Sequence, residues 1–213
     1  MSPRRSVAAA RETHSAIVER AAVVASVDGL EGLTIGRLAA DLEMSKSGVL
    51  GHFGSKQALQ LSVLDLAVVA FGQEVWESTS EMPNGRSRLL AICETWISYL
   101  ERGVFGGGCL LTSTALEFDG RSGPVRDAVA RALGRWYKLL ERQAQAAIDL
   151  GELPVESDPA VIVFQLASLA MGANQALQLF GDRAAAQTAR NAMRAVLSSS
   201  AYSGAPASAG GER

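Results

Sequence analysis

The sequence predicts an all-α chain. Ala and Leu recur at three- and four-residue spacing almost throughout, Val, Ile and Thr never gather into alternating runs, and the periodic stretches are separated by Gly, Pro and Ser/Thr punctuation. At 213 residues the chain is long enough for one short module of small helices followed by a larger helical domain with its own core.

The first helix is expected over residues 11–27, where Ile17, Ala21, Val24 and Ala25 share a face and Gly29 supplies a left-handed stop. Ahead of it, residues 1–10 read as a flexible basic arm, whose Arg4 and Arg5 fit either a disordered tail or an arm reaching into a groove. Thr34 then caps a short helix through about Asp41 that buries Ile35, Leu38 and Ala39. A tight turn at residues 42–44 leads to Ser45, the cap of a still shorter helix ending near Gly51. After Phe53, a core residue, and Gly54, Ser55 caps a long helix to about Glu77 that carries Leu59, Leu61, Val63, Leu64, Leu66 and Val69. Three helices crowded into one short segment, with a tight turn between the second and third, form a helix-turn-helix. Residues 11–56 make up this module.

The second domain is expected over residues 57–197. A helix from Arg86 to Arg102 has a broad apolar face of Leu89, Leu90, Ile92, Cys93, Trp96 and Tyr99, and Gly106, Gly107 and Gly108 break the chain before a helix from about Cys109 to Phe118. Pro124 starts a long helix at the position where its missing amide costs nothing, and Val125, Val129, Leu133, Trp136, Leu140, Ala144 and Ile148 keep to one face until Gly151. Pro159 starts a charge-free helix to about Phe180, and a last helix from Asp182 to about Leu197 is expected to carry Arg183, Arg190 and Arg194 on its wet side. From residue 198 to 213, Ser, Ala and Gly dominate and predict a disordered tail.

The net charge of -2 excludes a polybasic protein that grips nucleic acid with its whole surface. Positive charge is local: residues 1–11 hold Arg4, Arg5 and Arg11 without an acid, and residues 45–56 hold Lys46 and Lys56 without one. Two cysteines, Cys93 and Cys109, make neither a disulfide framework nor a zinc site, so a reducing cytoplasm is the expected compartment and no metal is expected. The apolar run after Arg4 and Arg5 is too short for an export signal, and the polar residues of the charge-free helix suit a protein interface better than a membrane. Both histidines, His14 and His52, fall in the first module, which leaves residues 57–213 without a histidine for nucleophilic catalysis. No zinc-protease, Walker or dinucleotide motif occurs, so no catalytic residue and no cofactor is expected.

The segments IVERAA at 17–22, LTIGRLA at 33–39, MSKS at 44–47 and HFGSK at 52–56, with Gly29 and Leu59, closely resemble in gapless register the DNA-binding module of the tetracycline-repressor-like (TetR) family of transcriptional regulators. FGGGCLLTSTALEFDGRSGPVR at 105–126 also looks like the junction between the sixth and seventh helices in a subset of that family. The resemblance implies an N-terminal helix-turn-helix that binds double-stranded operator DNA, followed by a ligand-binding and dimerisation domain. It further implies a homodimer, since a palindromic operator needs a two-fold protein.

Within the module, Thr34 and Ser45 stand at helix N-termini, where free amides and the helix dipole favour a phosphate oxygen, although each also serves simply as a cap. The resemblance makes Lys56 a phosphate contact, and His52 suits one. Lys46, Ser47, Gly48 and Val49 occupy the N-terminal part of the recognition helix, which reaches base edges in the major groove. Leu50 stands where most relatives have a tyrosine that touches the DNA backbone. An apolar contact such as a thymine methyl suits it instead.

In the second domain, Trp96, Tyr99, Phe105, Thr112, Trp136, Phe164 and Asn174 are the candidates to line a pocket for a small-molecule effector, aromatics at helical spacing serving a core equally well. Glu117 and Asp119 fit a cationic ligand or a solvated helix end, and Cys109 fits a redox sensor or simple burial. Val161, Ile162, Gln165, Leu169, Ala173 and Ala176 are expected at the dimer interface. The function read from these features is a repressor released from its operator by an inducer. The rival is a helix-turn-helix protein that organises DNA without a ligand.

Overall fold

A computed structural model describes the backbone of residues 3–198 and the side chains of residues 7–198. Among the described residues there are nine α-helices and no strands. They run in the order α1 (Pro3–Asp28), α2 (Ile35–Asp41), α3 (Lys46–Phe53), α4 (Lys56–Phe71), α5 (Arg86–Arg102), α6 (Leu110–Phe118), α7 (Pro124–Asp149), α8 (Pro159–Leu179) and α9 (Ala184–Val196).

Local chemistry sets most of these boundaries. The hydroxyls of Thr34, Ser45 and Ser55 accept from the amides of Arg37 at 3.2 Å, Gly48 at 3.0 Å and Ala58 at 3.1 Å. Each satisfies an amide that the first helical turn leaves free, worth about 1 kcal/mol. Asp158 does the same for Ala160 ahead of Pro159. Gly29 follows α1 with φ of 78°, a conformation cheap only for glycine.

Three sequence expectations need correction. The flexible arm at residues 1–10 is helix from Pro3 onward. The stretch between Pro3 and Arg11 is rich in alanine and holds no stop signal, so the helix propagates back to the proline, which is tolerated at a helix start. The arm's Arg4 and Arg5 side chains lie outside the described residues, as does the tail beyond Ser198. The long helix after Ser55 leaves α geometry at Gly72, continuing as a π turn over Gly72–Trp76 and a 3-10 turn over Glu77–Thr79. Arg190 is not on a wet face: its side chain is 11% exposed, pairs with Glu94 at 2.6 Å and also pairs with Glu101, pinning α9 to α5.

The core is continuous. Ile17, Ala21 and Val24 of α1 and Leu59, Val63 and Leu64 of α4 are all buried where the two helices pack together, and α4 also packs against α7. Helices α5, α7, α8 and α9 close the rest of the core around Ile92, Leu100, Leu140, Leu166 and Met193. The stretches Lys56–Thr79 and Pro159–Leu179 are long and apolar enough to cross a membrane by length and composition alone. Each has buried side chains inside this core: Leu59, Val63, Ala67 and Phe71 in the first, Ile162, Val163, Leu166 and Ala170 in the second.

Candidate nucleic-acid interface and interior cavity

Helices α2 and α3 meet through the turn at Leu42, Glu43 and Met44, where the Met44 amide donates to the Ala39 carbonyl at 2.8 Å. Glu43 takes φ of 53°, the one described non-glycine residue in left-handed backbone. Ion pairs hold the turn's base, with Arg20 of α1 on Asp41 at 2.7 Å and Arg37 on Asp28. Both pairs tie α2 to α1 before α3 begins.

One face of α3 is buried and the other is open. Val49 is wholly buried, which contradicts its expected place among the base-reading residues: it is the side chain that seats α3 on the core. Ser45, Lys46, Ser47, Leu50 and Gly51 are exposed, with Leu50 at 40%. Ser45 is at once the cap and a hydrogen-bond partner of the Ser47 hydroxyl at 3.1 Å. Lys46 extends across α2, its Cε lying 3.2 Å from where a Cβ on Gly36 would sit, so Gly36 leaves the channel along which this cation runs. Gly48 is half-buried, and His52 sits beside His14 of α1 with ring centroids 6.3 Å apart. Thr34 is exposed at the start of α2.

Lys56 begins α4 and donates to the Glu31 carbonyl at 2.7 Å, with the Glu31 carboxylate at 3.5 Å. A hydrogen bond from Gln60, reinforced by Lys56, holds the Glu31 carboxyl below the usual carboxylate range. This exposed pair is not worth a large stability term. Its effect is to aim Lys56 at the loop that carries Thr34.

The same loop is gripped from α6, an interaction the sequence did not reveal. Glu117 of α6 accepts from two successive amides, Leu30 and Glu31, each at 2.8 Å. Glu117 is thus neither a ligand group nor a solvated helix end. Nearby, the Ser26 hydroxyl of α1 donates to the Phe105 carbonyl at 2.7 Å, and a Cβ on Gly107 would lie 2.0 Å from the Ser26 carbonyl oxygen. Only glycine lets the segment before α6 approach α1 so closely. The signal available in the sequence was the run of three glycines; nothing in it named the partner.

Helix α6 also forms one wall of a cavity of about 140 Å³. Cys109, Leu111 and Thr112 line it from that side, Val68, Phe71 and Trp76 from α4 and its π turn, Trp96 from α5, and Leu133, Arg135, Trp136 and Leu139 from α7. Phe71 meets Trp136 edge-to-face at 5.0 Å, and Trp96 meets Trp136 at 5.4 Å. Of the expected lining residues, Trp96, Thr112 and Trp136 are here. Tyr99 lies beneath, against Phe71 at 5.4 Å, and is not among the lining residues. Asn174 accepts from the Cys109 amide at 3.0 Å, bracing α6 from α8, and Phe105 packs at the loop to α1. Phe164 does not face the cavity at all: it is 74% exposed on α8. Burial raises the Cys109 thiol's pKa and pushes that of Cys93 up to about 12, so neither is a ready thiolate.

Helix α8 shows its phase only in three dimensions. Ile162 and Ala173, expected at the dimer interface, are buried inside the chain, and Gln165, Leu169 and Ala176 lie half-buried at the margin. The exposed face is turned by about one residue, roughly 100°. It carries Val161, Phe164, Met171 and Leu179, each at least 42% exposed. A helix apolar all round offers no periodicity from which its buried side can be chosen.

Comparison with known proteins agrees with this architecture. Residues 17–63 match the family model described as bacterial regulatory proteins, tetR family, and residues 85–193 match that of the tetracyclin repressor-like C-terminal domain. No curated protein matches the chain. Among solved structures, a TetR transcriptional regulator from Chloroflexus aurantiacus is similar at a TM-score of 0.82 and 23% identity, covering 88% of this chain and 95% of that one. AibR, in complex with isovaleryl coenzyme A and operator DNA, is similar at 0.71 and 21%, covering 87% and 97%. A regulator from Saccharomonospora viridis in complex with choline is similar at 0.73 and 20%, covering 86% and 94%.

Proposed function

The chain belongs to the TetR family of DNA-binding transcriptional regulators, and from that premise we propose that it is a cytoplasmic, non-catalytic repressor, a homodimer that leaves a palindromic operator when a small molecule fills the cavity between α4, α5, α6 and α7. One observation carries the reading. Helix α6 walls the cavity on one side and, through Glu117, holds the amides of Leu30 and Glu31 in the DNA-binding module on the other. A ligand that shifts α6 alters the position of the loop that carries Thr34 and orients Lys56.

Dimerisation is assigned to α8 and α9. The exposed apolar face of α8 matches what a second copy of the chain would cover, and two copies related by a two-fold axis would present two α3 helices to successive major grooves. Lys46, Ser47, Gly48, Leu50 and His52 of α3 and its cap Ser45 are the residues assigned to DNA, with Thr34 and Lys56 at the flanks. AibR was solved with both a small molecule and operator DNA, and the proposal extends that pairing of sites to this chain.

The test is reciprocity. A molecule found by screening for operator release should weaken operator binding by the same factor that operator weakens its own binding. In Glu117→Gln, which keeps the shape but replaces one of the two accepting oxygens with an NH2 donor, that factor should shrink toward one. Full coupling in the variant would overturn the assigned route, and a cavity ligand without any effect on operator binding would overturn effector control.

A further inference from the structure

We propose that the interior cavity takes a small aromatic carboxylic acid, a single ring bearing one carboxylate. The proposal rests on reading this cavity as the effector site and adds the chemistry of the effector.

Size comes first. At about 140 Å³ the cavity is close to the ~150 Å³ cavity known to hold benzene and well short of the ~300 Å³ at which drug-sized sites begin. One ring with a short substituent fills it. Wall chemistry agrees, because Phe71, Trp96 and Trp136 stand nearly perpendicular to one another and so offer both ring faces and ring edges to a flat guest.

Charge then selects among aromatic guests. Aromatic boxes often hold organic cations. Among the described lining residues, however, there is no carboxylate, and the one charged group is the Arg135 guanidinium, exposed and with no ion-pair or hydrogen-bond partner among the described residues. A second guanidinium, Arg88, lies 4.0 Å from the centroid of Trp76 and covers that ring. A cation in the cavity would meet the like charge of Arg135 and no counter-charge; a carboxylate would meet an unpaired partner.

Hydrogen bonding points the same way. Trp136 is 7% exposed and lines the cavity, yet its Nε1 is buried with no hydrogen-bond partner among the described residues. A buried donor without an acceptor is costly, and an oxygen brought by the guest removes that cost. Arg135 and Trp136 both line the cavity from α7, and they are the two donors, one exposed and cationic and one buried and neutral, that the proposal gives the carboxylate. The Cys109 thiol, neutral through burial, adds no repulsion.

The three tryptophans of the chain, Trp76, Trp96 and Trp136, all border the cavity, so intrinsic fluorescence reports on its occupancy. The full chain should be titrated with phenylacetate, its neutral analogue phenylacetamide, and the cation benzyltrimethylammonium, by fluorescence and calorimetry. Phenylacetate is expected to bind about tenfold or more tighter than phenylacetamide, as a charge-assisted hydrogen bond implies, and the cation is expected not to bind. Arg135→Gln, an exposed substitution, should bring phenylacetate down to the affinity of the amide and leave the amide unchanged. The proposal is overturned if the cation binds as tightly as the acid, if phenylacetate fails to bind at millimolar concentration, or if Arg135→Gln leaves the preference for the acid intact. Operator binding separates the two layers. Acid binding by these rules with operator affinity unchanged keeps the ligand chemistry and removes effector control, whereas operator release by a cation seated in the cavity keeps effector control and removes the acid.

Discussion

Helices α3 and α8 each leave one face in solvent, and the faces differ in kind. That of α3 is small and polar, with Ser45, Lys46 and Ser47 around the single apolar Leu50, while that of α8 is long and charge-free, with Val161, Phe164, Met171 and Leu179 in line. A surface of amides, hydroxyls and one cation loses little by standing in water and gains from a phosphate. An apolar stripe gains nothing from DNA and much from another protein surface. Their burial also differs: one side chain, Val49, seats α3, whereas α8 has Ile162, Val163, Leu166, Ala167, Ala170 and Ala173 in the core. This difference suits the roles proposed for them, α3 reading DNA and α8 joining two chains.

The contrast can be broken most severely on α8. Phe164→Asp should leave the monomer folded, since the ring is 74% exposed, yet place an unpaired charge in the proposed interface at roughly 3 to 5 kcal/mol per chain. Sedimentation should then find monomers at micromolar concentration, with operator affinity falling in parallel. A stable Phe164→Asp dimer would move the interface elsewhere.

Neighbouring residues of α3 sharpen the contrast within one helix. Val49→Ala is expected to lower stability by about 1 to 3 kcal/mol through poorer core packing, with base preference retained. Leu50→Ala should change stability by less than about 0.5 kcal/mol, yet alter the preferred base at a position it touches, at roughly 1 to 3 kcal/mol per base. Thermal unfolding and a panel of operator variants separate these outcomes.

That pair of residues also shows how legibility in the sequence depends on physical signals. Caps are local, so Thr34, Ser45, Ser55 and the prolines Pro124 and Pro159 mark helix starts from sequence alone, and the structure agrees to within a residue or two. The phase of a short or uniformly apolar helix is not local. Val49 and Leu50 are similar side chains one residue apart on an eight-residue helix, and α8 is apolar on every side, so their burial is decided by neighbours that the sequence does not name. The same holds for Glu117, whose role rests on amides 86 and 87 residues away. Trp96 and Trp136 were legible as cavity residues because large aromatics tend to converge; Arg135, exposed and unpaired, gave no such signal.

Smaller effects belong to the flanks. Lys56→Ala should weaken operator and unrelated DNA by similar factors and reduce the salt slope by about 0.9 for each phosphate no longer neutralised, roughly two in a symmetric dimer. A changed base preference would contradict its assignment to the backbone. Glu43→Gly should raise stability slightly, by up to about 1 kcal/mol, because glycine adopts φ of 53° without the crowding a side chain brings there. Denaturant midpoints of the two proteins decide it.

Whether α8 joins two chains so that two α3 helices can read one site is decided by footprinting the full chain on genomic fragments it selects, with the number of chains per site measured in the same complex. Two chains and two protected half-sites related by a two-fold axis are expected, centred one helical turn or a whole multiple of it apart, about 10 to 10.5 base pairs per turn. A single chain on an unsymmetric site would contradict this arrangement.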